Sequence, residues 1–205
     1  MRELHKALTD IGNIRLHLAA GTMFRGFGPP VIAATGLLAL VTAAVQALWF
    51  DAHPDPIVFL GAWVAVAIVS AALIGLEMLA RTRRHHAGLA DAALFNAVEH
   101  FIPFGAAGAV IALILLRFAP ETVWMLPGLW QILIGLGLFA SLRFLPRSVA
   151  IAGAWYFLAG AAVLMLASET RSLSSWAMGV PFGVGQLLLA AILHLALGGD
   201  DAEDR

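Results

Sequence analysis

The residues of this chain that could do chemistry are a few strongly polar side chains set inside long apolar stretches. A group that leaves water for hydrocarbon is retained only where it has a partner or a task. Ser70, Gln131, Tyr156 and Gln186 fall in or near the middle of such stretches, while Glu77, Arg81, Glu99, His100, Arg143 and His194 fall close to their ends on one side. The first set is suited to hydrogen bonding: its amides and hydroxyls can bridge neighbouring helices or line a small polar cavity. Pro127 and Pro181 precede the two glutamines by about one helical turn. A proline inside a helix leaves a backbone carbonyl without its donor, so acceptors are expected in the same region.

The second set holds carboxylates and imidazoles, which serve as metal ligands and as acids and bases. Its spacing speaks against a metal. His85 with His86, and Glu99 with His100, are sequence neighbours, and adjacent helical residues diverge by about 100°, so neither pair chelates. Glu77 and Arg81 stand at i and i+4, where opposite charges pair on one helix face, and Glu77 lies about one turn inside the basic cluster Arg81 to Arg84. This ExxxR spacing resembles the first motif of intramembrane CAAX-type proteases, a resemblance that implies carboxylates and histidines activating a metal-bound water. The chain departs from that family's pattern, with one glutamate where the family has a pair and without its later histidine motifs. His100 and His194, the histidines at the membrane boundary, can reach water rather than an enclosed haem. No Walker loop, GxSxG elbow, HExxH or dinucleotide fingerprint occurs, and with no cysteine there is neither disulfide nor thiolate chemistry. The expectation is a protein without catalytic residues, metal or cofactor.

The elements that position these residues follow from composition. Of 205 residues, 61% are hydrophobic and 12% charged, where a soluble domain carries about a quarter charged. Spanning about 30 Å of hydrocarbon takes roughly 20 residues of helix. Six stretches qualify, near Pro29 to Phe50, Ile57 to Ala80, Phe101 to Phe118, Thr122 to Leu145, Val149 to Ser168 and Trp176 to Leu197. The third is expected to begin earlier, because good helix formers precede Pro103. The fold class is therefore an all-α polytopic membrane protein, a six-helix bundle. It comprises an amphipathic N-terminal segment over 1–28, the transmembrane domain over 29–197 and a flexible acidic tail over 198–205.

Positive loops are retained on the cytoplasmic side. Arg2, Lys6, Arg15, Arg25, Arg81, Arg83, Arg84, Arg143, Arg147 and Arg205 share one side, and Arg117 and Arg171 alone lie opposite, so ten of the twelve basic residues place both termini inside. Trp49, Trp124 and Trp176 fit the outer aromatic belt. The fourth and sixth spans are alike, WMLPGLWQIL and WAMGVPFGVGQLLL, which suggests three repeated helical hairpins. Gly179 and Gly183 form a GxxxG, while Gly128 with Gly135 and Gly153 with Gly160 stand a heptad apart, marking where helices approach within one chain. The functional expectation is a small non-enzymatic protein of a bacterial inner membrane, acting in stress response or regulation through a membrane partner protein or a homo-oligomer, with the lipid bilayer as its surroundings and no nucleic acid. The alternative is a small-solute or ion transporter or channel with its site near the mid-membrane glutamines.

Overall fold

The structure, a computed structural model, describes residues 28–49, 55–85, 90–143 and 145–203, and the side chains within them except those of 81–98, 100, 143 and 197–203. The described residues fold as α1 (Pro29–Trp49), α2 (Pro56–His85), α3 (Ala90–Phe118), a 3-10 helix (Pro120–Met125), α4 (Leu126–Ala140), a 3-10 turn (Ser141–Arg143), α5 (Val149–Thr170) and α6 (Ser175–Glu203), with no strand among them. Six segments are long and apolar enough to cross a membrane. The architecture is that of a multi-pass membrane protein.

Local sequence explains where these helices start and stop. Asp55 caps α2, its Oδ1 accepting from the backbone N–H of Ile57 at 2.8 Å and of Val58 at 3.4 Å. Pro56 follows in the first turn, where its missing N–H costs nothing. α3 begins at Ala90, as its helix formers imply, and carries Pro103 within it. The fourth span differs from the sequence expectation. It opens as a 3-10 helix over Pro120–Met125, and α4 ends at Ala140 instead of reaching Leu145. Pro127 lies in the first turn of α4, where it has no helical N–H bond to lose, so it starts the helix and does not kink it. α6 continues to Glu203 through the acidic residues expected as a flexible tail. The expected amphipathic segment before α1 lies outside the described residues. α5 ends at Arg171, whose φ of 49° makes it the one left-handed non-glycine among the described residues; glycine is the usual occupant of such a position.

Consecutive spans touch, and α1 meets α6, so the chain closes on itself. Each hairpin expected from the sequence (α1 with α2, α3 with α4, α5 with α6) is in contact, but the closest interfaces run between hairpins, joining α1 to α6 and α4 to α5. Both are built on the glycines singled out by spacing. At the α4/α5 crossing, a Cβ on Gly160 would lie 2.6 Å from the Gly128 carbonyl oxygen, and one on Gly135 2.9 Å from that of Gly153. At the α1/α6 crossing, a Cβ on Gly36 would lie 2.9 Å from Gln186 Cβ and 3.1 Å from the Gly183 carbonyl, and Gly179 lies against Ala43. Because lipid tails are as apolar as leucine, such close backbone packing, not hydrophobic burial, joins helices in a membrane. The small residues thus serve packing within the chain.

The contact of α2 with α3 is looser. Within the apolar windows 44% of residues are buried in each of the fourth and sixth spans, against 17% in the second and 6% in the third. α4 and α6 are therefore central, α1 and α5 flank them, and α2 and α3 form an outer layer. Trp130 on α4 ties α3 inward by donating its indole N–H to the Gly108 carbonyl at 3.1 Å.

Candidate polar site around Pro181

Several polar residues of the interior gather around Pro181 of α6. Pro181 stands inside that helix and has no N–H to give to the carbonyl four residues before it, that of Ala177. Gln131, fully buried on α4, donates its Nε2 to the Ala177 oxygen at 2.7 Å. The side-chain amide of one helix thus replaces the backbone donor missing from another. On α5, Trp155 donates its indole N–H to the Pro181 carbonyl at 2.9 Å, and the Tyr156 hydroxyl donates to the Phe182 carbonyl at 3.4 Å. Three donors from two helices therefore converge on the stretch Ala177 to Phe182.

Aromatic rings extend this region across the bundle. Phe182 meets Tyr156 edge-on, with centroids 5.6 Å apart, and lies near-parallel to Trp63 of α2 at 6.4 Å. Trp63 contacts Phe59 at 6.5 Å and donates its indole N–H to Gln46 Oε1 of α1 at 2.8 Å. Gln46 returns its Nε2 to the Phe59 carbonyl at 3.3 Å. Both polar ends of Gln46 are thereby satisfied while the residue is 4% exposed, as a buried amide requires.

Gln131 and Gln186 are not satisfied in the same way, since the Oε1 of each is buried without a hydrogen-bond donor. The two glutamines follow by three residues a glycine at which their own helix presses on its close partner, Gly128 and Gly183. The amide of Gln186 neighbours the Tyr156 hydroxyl, but its oxygen accepts no bond of acceptable geometry. The contact between the fourth and sixth spans is made by Gln131 on the α6 backbone. Gln186 takes no part in that bond.

Of the sequence candidates, Gln131, Tyr156 and Gln186 are thus placed around α6. Ser70 is half-buried on α2 and takes no part in the hydrogen bonds described. At the other set, Glu77 is half-buried, Glu99 and His194 are exposed, and the side chains of Arg81, His100 and Arg143 lie outside the described residues. No group of three or more metal-ligating side chains gathers among the described residues. Sequence reasoning missed Gln46, Trp63 and Trp155. Gln46 was open to the rule that singled out the other glutamines, a strongly polar residue inside an apolar span. The tryptophans carried no such signal, because each reads as apolar filling until its N–H has a visible acceptor.

The arrangement has donors and acceptors for holding helices together. It presents no paired acid and base and no activated nucleophile among the described residues. In comparisons with known proteins, the chain matches no family model, no curated protein and no solved structure.

Proposed function

We propose that the chain is a non-enzymatic multi-pass protein of a bacterial inner membrane that acts through contacts with a membrane partner protein or a second copy, and whose interior polar groups lock helices together. The observation that carries this reading is the convergence of Gln131, Trp155 and Tyr156 on backbone carbonyls of α6. Donors used in this way rigidify a bundle. The second reading, a small-solute or ion transporter or channel, is favoured by a separate observation: the buried oxygens of Gln131 and Gln186 lack donors, and a solute with N–H or O–H groups would supply them. Proteoliposome flux separates the two. With potassium, protons and glycerol as probes, wild-type vesicles are expected to match protein-free ones. Flux above that background, lowered by Gln131→Leu or Gln186→Leu, would establish the transport reading instead.

The proposed orientation has both termini in the cytoplasm, on the strength of the ten-to-two distribution of basic residues. A reporter fused at Gly199 is expected to give a cytoplasmic signal, and a periplasmic one would reverse the assignment.

A further inference from the structure

A groove of about 370 Å³ opens where α5 gives way to α6, within the range of small-molecule sites, about 300–1,000 Å³. Its α5 wall carries Val163, Leu166, Ala167 and Thr170. These recur at helical spacing, so the groove follows the helix axis for about 10 Å at 1.5 Å per residue. It is open to the side, since Leu166 is 77% and Val180 43% exposed, so in a bilayer it faces the acyl chains. Polarity changes along its length. Most of its lining is apolar, while the end of α5 carries the hydroxyls of Thr170 and Ser172, which bond to each other at 3.2 Å. Trp176 also lines the groove and is 48% exposed, as at a membrane interface.

We propose that this groove holds one phospholipid of the surrounding leaflet, its acyl chain along Val163, Leu166 and Val180 and its head group at the Thr170–Ser172 turn. Charge selects the head group. Glu169 and Arg171 flank Thr170, and both are exposed, so the turn offers one anion and one cation. A zwitterionic head with a phosphate and a primary ammonium complements that pair; a net-anionic head leaves Glu169 opposed. Arg171 also holds a left-handed backbone conformation that glycine adopts without penalty, so its cation is kept at a site where the backbone favours another residue. The proposal does not depend on whether the protein acts through partners or by transport, although Ala177 and Pro181 of the polar site also line the groove.

The test uses the full chain in nanodiscs of equal phosphatidylethanolamine and phosphatidylglycerol, then extraction into detergent and mass spectrometry of the phospholipid each chain retains. One retained phosphatidylethanolamine per chain is expected. Ala167→Phe, which fills the groove, should lower retention about tenfold with the thermal midpoint held, a change equal to about 1.4 kcal/mol. If Ala167→Phe does not assemble, Val180→Trp, at an exposed position, decides in its place. Arg171→Gly keeps the backbone and removes the cation, so it should weaken retention without loss of stability, while Arg171→Lys should retain the lipid. Retention unchanged by the filling variant, an annular lipid lost in proportion to detergent, or a preference for phosphatidylglycerol would each overturn the proposal.

Discussion

Replacing Gly160 with leucine is expected to prevent α4 and α5 from closing, and to cost more than the 1–3 kcal/mol typical of an overpacked core. The added Cβ would meet the Gly128 carbonyl at 2.6 Å and the backbone nitrogen of Ile132 at 3.0 Å. Both obstacles are backbone, so no side-chain rotation relieves them, and the helices must separate along the crossing. The fraction of chain that runs as a monodisperse species in detergent, and its thermal midpoint, should both fall. Gly61 supplies the control. Nothing lies within 4 Å of a Cβ added there, so Gly61→Ala should stabilise α2 by about 0.5–1 kcal/mol through its better helix propensity. Similar destabilisation by both substitutions would show that helix approach is not what Gly160 provides.

The second large effect is conditional. Gln131→Leu should destabilise the wild-type protein by about 1–2 kcal/mol, because it removes an interhelical hydrogen bond and leaves the Ala177 carbonyl without its donor. In a Pro181→Ala background the same substitution should have little effect. Alanine restores the backbone N–H that Ala177 lost, so the amide of Gln131 becomes redundant. The four proteins form a double-mutant cycle, and its interaction term measures the replacement directly. Additive losses would mean that Gln131 and the proline break are unrelated.

Much of the fold was legible in the sequence because a bilayer imposes few solutions. Apolar length gives the number of spans, and glycine spacing gave the crossing points: Gly128, Gly135, Gly153 and Gly160 do meet as α4 against α5. The neighbours of each span were less accessible. The α1/α6 pairing depends on three-dimensional closure, and nothing local to Gly36 announces that its partner is Gly183. The site was legible in part for the same reason. Gln131 and Pro181 each stand out inside an apolar span, but that the amide of the first reaches the carbonyl freed by the second is a fact about the distance between helices. Of the rim residues, Glu99 and His194 are exposed, as side chains long enough to reach water can be.

The pairing of the first span with the last has a consequence for biogenesis. Gly36 cannot meet Gly183 until α6 has been synthesised, and at 5–20 residues per second the ribosome takes roughly 7–30 s to cover the intervening chain. Throughout that interval α1 sits in the membrane with its closest partner still unmade, held by its lesser contact with α2. A nascent chain stopped before Trp176 would leave that glycine face open to any passing helix. Synthesis of α6, and not insertion of the first spans, is then the step at which α1 commits to its native neighbours. A membrane protease that samples unpaired helices would distinguish copies with and without α6 by the state of α1.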